Sequence, residues 1–157
     1  MPAIISICYT PDGIERQPQD FYARVPIGEA HLLEAYGIEG DRKGGHPVRQ
    51  LNVMSREVLN SLAEQGLKTG IGQMGEQIVL DGFDVADLKP GDQVRIGDHA
   101  VIEIGEKRNG CPRFQHIQAH DPAALKGQLG VMARVITSGA IKVGDPVRVI
   151  SYAAEAK

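Results

Sequence analysis

Short β-branched and apolar runs, each closed by a glycine, a proline or an Asx-type turn, recur along most of the chain. Ile4 to Tyr9 predicts a buried first strand, and Thr10-Pro11-Asp12-Gly13 then supplies a fixed φ, a side-chain acceptor and a position for φ > 0. Residues 12–24 are polar and carry Pro18, so they predict an irregular excursion before Val25-Pro26 rather than a linker between folded units. In Glu29 to Tyr36 the residues Ala30, Leu33 and Tyr36 have helical spacing, but the short length and flanking glycines favour a strand. Gly37 to Pro47 packs four glycines and a proline among charges, which predicts a loop of unusual backbone geometry.

Val48 to Met54 predicts a strand that enters a helix. Ser55 is placed to cap it, Met54 to staple onto Leu59, Leu59, Leu62 and Ala63 to form its apolar face, and Gly66 to stop it. Gln77 to Leu80 predicts a short strand, and Gln93 to Ile96 with Ala100 to Ile104 predicts a hairpin around a two-residue Gly97-Asp98 turn. Val131 to Thr137, Ala140 to Val143 and Val147 to Ile150 predict three more strands. Residues 89–96 and 142–149 echo each other as a Gly-Asp turn feeding an alternating Val-Arg run, which is the same backbone problem solved twice. The pattern predicts a mainly β fold with a few helices, a closed or sandwiched sheet, and one domain over residues 1–157.

Composition narrows the function classes. The net charge is −3, so no bulk field draws the chain to nucleic acid or an anionic membrane, and the 4% of aromatic residues do not interleave with the basic ones. Two cysteines cannot build a disulfide framework, no Cys-x-x-Cys occurs, and no segment has the length of a signal peptide or membrane span. A reducing, cytoplasmic setting is the expectation.

Two segments carry candidate chemistry. In Gly105 to Phe114, Cys111 stands among Lys107, Arg108 and Arg113; cations favour thiolate over thiol, and Pro112 can open a helix that makes Cys111 its N-cap. The alternative is a buried, inert cysteine among solvated charges. Cys8, inside an apolar strand, predicts a core residue. His116 and His120 share helical spacing and with Cys111 form a conceivable zinc set, but no acidic partner lies between them. In the second segment, glycine amides with Arg42, Lys43 and Arg49 suit a phosphate or other oxyanion, against the alternative of a turn with solvated charges. Neither a Walker loop nor a dinucleotide-binding glycine fingerprint is present. Asp41 is a candidate to bridge to an arginine, and Arg134 is either structural or site-facing.

Taken together and in order, Gly37-Ile38-Glu39-Gly40-Asp41-Arg42, Arg49-Gln50-Leu51-Asn52, Gly75-Glu76, Leu88-Lys89-Pro90-Gly91-Asp92, Cys111-Pro112-Arg113 and Gly130-Val131-Met132-Ala133-Arg134-Val135 resemble the MOSC family, named for the C-terminal domain of molybdenum cofactor sulfurase. The resemblance covers roughly residues 25–150. It implies a closed or partly closed β-barrel whose characteristic cysteine, matched by Cys111, handles sulfur or ligates molybdenum. It also implies cationic contacts to the phosphate of a molybdopterin cofactor, for which Arg42, Lys43, Arg49, Lys107, Arg108 and Arg113 are the candidates. The chain departs from the family pattern in having Lys43 where many relatives have histidine, with a histidine only at His46, and in having Gln77 after Gly75-Glu76 where asparagine is common.

The functional expectation is a stand-alone MOSC protein that binds molybdenum cofactor or carries a persulfide on Cys111, in sulfur transfer or molybdenum-dependent reduction. No pyridoxal-phosphate domain accompanies it here, so sulfur would come from a partner such as a cysteine desulfurase, and be delivered to a molybdoenzyme. Reduction would need an external electron donor. Two alternatives are a non-enzymatic carrier of the pterin cofactor and a cofactor-free reactive thiol.

Overall fold

The computed structural model describes residues 2–12, 21–82, 84–125 and 127–153. Gly13 of the first turn and the Pro18 stretch of the expected excursion lie outside the described residues. The first strand, β1 (Ala3–Tyr9), is followed by the two-residue β2 (Val25–Pro26), β3 (Glu29–Leu33) and β4 (Gly37–Ile38). Then come β5 (Leu51–Ser55), α1 (Arg56–Glu64) and β6 (Ile78–Asp81). The remainder is β7 (Gln93–Ile96), β8 (Ala100–Lys107), α2 (Pro112–Gln118), β9 (Val131–Thr137), β10 (Gly139–Lys142) and β11 (Val147–Ser151). Glu29 onward is a strand, as its glycine flanks and length suggest, and the loop after β4 runs unbroken to β5.

Eight strands form one sheet in the order β11-β7-β8-β9-β5-β6-β1-β2, and β10-β3-β4 form a second, smaller one. All pairings are antiparallel except β5 with β6, which α1 connects as a parallel crossover. The architecture is mainly β with two helices among the described residues. Among the described residues no ladder closes the large sheet into a barrel. The segment that leads into β11 touches β1 at a single Ala3–Pro146 bridge, with Ile4 N–H donating to Asp145 O (3.0 Å), Gly144 N–H to Ile4 O (2.7 Å) and Val147 N–H to Pro2 O (3.1 Å). Beyond Val147 no residue of β11 is paired with β1, so the approach stays a local bridge and does not become a ladder.

Two apolar clusters hold the layers together. Ile4, Ile7, Leu32, Ile38, Leu51, Val53, Ile78, Leu80, Ile102 and Val135 join the two sheets, while Met54, Leu59, Leu62, Met74, Phe114 and Leu129 seat both helices against the outer face of β5 and β6. Alternation along β5 makes this division, since Leu51 and Val53 enter the first cluster and Met54 the second. Met54 and Leu59 share the second cluster as the staple requires, but Ala63 is exposed and Val58 packs there instead. Ser55 occupies the N-cap position without capping: its Oγ accepts from Val85 N–H at 2.8 Å, tying the helix start to a 3₁₀ turn at Val85–Asp87. Gly66 ends the helix with φ +91°.

The repeated Gly-Asp turns are physically alike. Asp92 Oδ2 accepts Lys89 N–H at 2.8 Å and Asp145 Oδ2 accepts Lys142 N–H at 2.9 Å, and the strands they launch, β7 and β11, pair with each other. The β7–β8 connection differs from expectation. Ile96 pairs with Ala100, so three residues, Gly97-Asp98-His99, make the turn rather than two.

Candidate functional site

The loop after β4, the outer face of β5 and the start of α2 converge on an open cavity of about 440 Å³. Within the range of small-molecule sites, it receives side chains from segments far apart in sequence. Cys111 reaches it from the N-cap of α2, with Pro112 in the first turn and the Cys111 carbonyl accepting Gln115 N–H at 3.0 Å. Its thiol makes no capping bond and the residue is exposed.

Five cationic side chains line the same cavity: Arg24, Lys43, Arg49, Arg108 and Arg113. Among the described residues no carboxylate does. Three of the guanidiniums surround one ring, with Arg24, Arg108 and Arg113 at 6.0, 5.7 and 5.1 Å from the centre of Tyr22. Neutral acceptors are among their partners. Arg24 donates to Thr10 Oγ1 (2.6 Å) and Gly75 O (3.0 Å), Arg108 to Met74 O and to the Tyr22 hydroxyl (3.2 Å), and Arg113 to Phe21 O (3.1 Å). Gly75, at φ +81°, makes this crowding feasible, since a Cβ there would lie 3.0 Å from Arg108 Nη2 and 3.1 Å from the Tyr22 ring.

The described carboxylates nearby, Asp41 and Glu76, are committed to backbone and amide donors. Asp41, fully buried, accepts the N–H groups of Thr10 and Lys43 (both 3.1 Å) and the Gln77 amide (3.3 Å), so it shapes the cationic loop rather than bridging to an arginine. Glu76 accepts Gly72 N–H (2.8 Å) and Met74 N–H (3.1 Å); burial pushes its carboxyl above the usual range. Burial also lowers Arg24 below the ordinary guanidinium value and, with Arg24 and Arg113 nearby, lowers Lys43. The Tyr22 hydroxyl is raised by its burial. Positive charge is therefore crowded at the cavity wall, and an anion would relieve that repulsion.

Neutral polar groups complete the wall. His46 Nδ1 accepts both Val48 N–H (3.1 Å) and Arg49 N–H (3.0 Å), which assigns its proton to Nε2. The Gln77 amide is occupied, its Oε1 accepting Asn52 N–H at 2.7 Å. Asn52 lies on β5, paired with Met132 of β9. Its side chain is buried, lines the cavity and finds no hydrogen-bond partner for either amide atom. Gly130, at φ +89° just before β9, packs so closely that a Cβ would lie 2.5 Å from Val53 O and 2.9 Å from Asn52 Oδ1.

Of the residues singled out in the sequence, Lys43, Arg49, Arg108, Arg113 and Cys111 share this cavity. Arg42 and Lys107 do not line it. Arg42 is exposed, its N–H donating to Thr10 O at 2.8 Å, and Lys107 sits exposed at the end of β8, opposite Val131. Arg134 pairs with Glu103 across β8 and β9 at 3.0 Å, a structural role. Cys8 is core: its thiol donates to Glu76 O at 2.9 Å, and burial pushes it up to about 12. The His116, His120 and Cys111 zinc set does not assemble, since His120 is engaged by the Gln118 and Gln65 carbonyls and no group of three metal-binding side chains gathers among the described residues. Sequence reasoning missed Tyr22 and Arg24 as site residues; an aromatic two positions before an arginine at a strand entrance was the available signal.

Comparison with known proteins supplies the family. No curated protein matches the chain. Among solved structures, YiiM from Escherichia coli superposes with a TM-score of 0.72 at 24% identity, over 98% of this chain and 72% of that one. YiiM from Geobacillus stearothermophilus gives 0.72 at 20% identity, over 96% and 76%. YuaD from Bacillus subtilis gives 0.74 at 20% identity, over 98% of both. At these identities the likeness establishes the fold. The MOSC domain model matches residues 40–148, from the Asp41 turn that shapes the cationic loop, through Cys111, to the start of β11; the chain belongs to the MOSC domain family.

Proposed function

We propose that this protein binds molybdenum cofactor in the cationic cavity, with Cys111 as the protein's ligand to the metal. The carrying observation is an exposed cysteine on a cavity of about 440 Å³ whose wall, among the described residues, holds five cationic side chains and no carboxylate. The donor set fits such a group. One soft thiolate suits molybdenum, and guanidinium forks suit a phosphate. A bare metal ion would find too few protein ligands among the described residues, so the metal must arrive with donors of its own.

In this reading Arg24, Arg108 and Arg113, fixed around Tyr22, and Lys43 with Arg49 hold the phosphate. The bound cofactor supplies two-electron redox chemistry. His46 presents its Nε2–H as a donor beside the cationic group, and Asp41 keeps the loop in shape from below. Reduction draws on an external electron donor.

The exposure of Cys111 favours a second reading, persulfide carriage. Its thiolate attacks the outer sulfur of a donor persulfide, the donor S–S bond breaks, the donor leaves as a thiolate, and Cys111 holds the sulfane sulfur. A cysteine desulfurase is the class of donor required, and a molybdoenzyme the class of acceptor.

Metal analysis and oxidised-pterin fluorescence on protein from a molybdenum-replete, cofactor-making host test the proposal beside Cys111→Ala. Molybdenum and pterin in equal amounts in the wild-type protein, with both retained less well by the variant, is the expected result. Neither signal in the wild-type protein overturns cofactor binding, and intact mass after exposure to a persulfide donor then decides for or against a one-sulfur adduct on Cys111.

A further inference from the structure

Four exposed residues that do not line the cationic cavity stand in the chain directly beside residues that do. Phe21 precedes Tyr22, Arg42 precedes Lys43, Val48 precedes Arg49 and Lys107 precedes Arg108. Phe21 is 58% exposed and Val48 52%, so two large apolar side chains face solvent close to the opening. The Phe21 carbonyl accepts from Arg113 at 3.1 Å, which sets Phe21 beside the start of α2 and Cys111. The Val48 carbonyl lies 3.8 Å from where a Cβ on Gly105 would stand, which sets Val48 beside the end of β8 that carries Lys107. Arg42 is near enough to add its charge to those that lower Lys43. The Arg42 guanidinium and the Lys107 ammonium make no hydrogen bond or ion pair among the described residues. Glu106, which precedes Lys107, is the exposed carboxylate of these segments.

Two free cations and two apolar side chains therefore surround the opening that exposes Cys111, in a chain whose net charge is −3. A small ligand held inside the cavity does not need them, but a macromolecule that reaches for Cys111 has to cross them. Stacked bases need a row of open aromatic faces, and the Tyr22 ring is already packed among guanidiniums, so the mixture suits a protein surface better than a nucleic acid.

We propose that Phe21, Arg42, Val48 and Lys107 form a docking collar for an acidic protein, whose carboxylates meet the two cations and whose apolar side chains cover Phe21 and Val48 while its reactive group reaches Cys111. The proposal rests on the reading of Cys111 as the reacting group and deepens it by naming the chemistry of the partner. So few anchors suit a transient, electrostatically steered encounter, as a donor that delivers and departs requires.

Disulfide exchange at Cys111 in the full chain tests it. The probes are two peptides of equal length, each with a leucine beside one cysteine activated as a pyridyl disulfide, the first rich in Asp and Glu and the second in Lys. A neutral hydroxyethyl pyridyl disulfide and an oligothymidylate bearing the same disulfide, matched in charge to the acidic peptide, complete the set. The Cys111 thiolate attacks the probe sulfur, the bond to the pyridyl sulfur breaks and thiopyridone leaves, so released thiopyridone reports the rate; Cys111→Ala supplies the blank. At low salt the acidic peptide is expected to react with the wild type about tenfold or more faster than the basic one, with the gap closing at high salt. Arg42→Ser with Lys107→Ser, and separately Phe21→Ser with Val48→Ser, are each expected to slow the acidic peptide about threefold or more and to leave the neutral probe unchanged. All four side chains are exposed, and unchanged thermal midpoints show that the variants fold. If the acidic preference persists but either pair of substitutions leaves it untouched, the collar is overturned and the cationic cavity alone does the steering. An oligothymidylate faster than the acidic peptide assigns the surface to nucleic acid and overturns the protein partner. No reaction with even the neutral probe overturns the accessible thiol, and with it both the collar and the reading on which it rests.

Discussion

Gly130→Ala isolates the close packing behind the cavity wall. At φ +89° an alanine meets the left-handed penalty, of the order of 1–2 kcal/mol. It also drives a Cβ to 2.5 Å from Val53 O and 2.7 Å from Met54 Cγ. The first of these atoms is backbone held between β6 and β9, so it cannot swing away, and overpacking of this kind costs about 1–3 kcal/mol more. Gly144→Ala is the matched control. It shares the left-handed backbone, at φ +97°, but nothing lies within 4 Å of its Cβ position. Urea denaturation of the two variants should therefore differ by about 1–3 kcal/mol, with Gly130→Ala the weaker. In thermal melts the gap corresponds to about 2–4 °C per kcal/mol for a chain of this size. Equal losses in the two variants would refute the reasoning, because they would leave only the φ penalty.

Two further outcomes follow from burial. At pH 8 the native protein should consume one equivalent of iodoacetamide at Cys111 and take up the second at Cys8 only after denaturation, counted by intact mass; rapid native labelling of both would contradict the buried thiol of β1. Glu76 titrates above its unfolded value of 4.5, so its neutral form is the one that folding favours. That contribution is fully present below the unfolded pKa and is lost as pH rises through the folded one. Glu76→Gln should accordingly flatten the fall in stability from about pH 4.5 upward, and an unchanged slope in denaturant midpoints across that range would count against it.

Local chemistry made much of the fold legible. The Gly-Asp turns, the α1 stop at Gly66 and the Cys111-Pro112 helix start each depend on a few adjacent residues, and each forms at its expected place. What local signals could not carry is partnership across the chain. Ser55 has the form of a cap, yet Val85 claims its hydroxyl from 30 residues away. Arg42 and Lys43 are neighbours in one charged loop, but only Lys43 reaches the cavity. Tyr22 and Arg24 enter the site through acceptors at Thr10 and Gly75 and through the ring's contacts with Arg108 and Arg113, none of which sequence spacing reveals. Asn52 was visible within a family-like motif, but its distinctive property is a missing partner, which only three dimensions expose.

The contact between Ala3 and Pro146 also sets an order of events during synthesis. Strand β1 emerges from the ribosome early, but its long partner β6 begins at Ile78 and the 144–147 turn follows much later. Until then its apolar, β-branched ladder is unpaired on that side. Long-range pairings of this kind slow folding and expose nascent strands to the wrong neighbours. Yield in a cell should thus respond to chaperone supply and translation speed more than the finished molecule's stability would suggest.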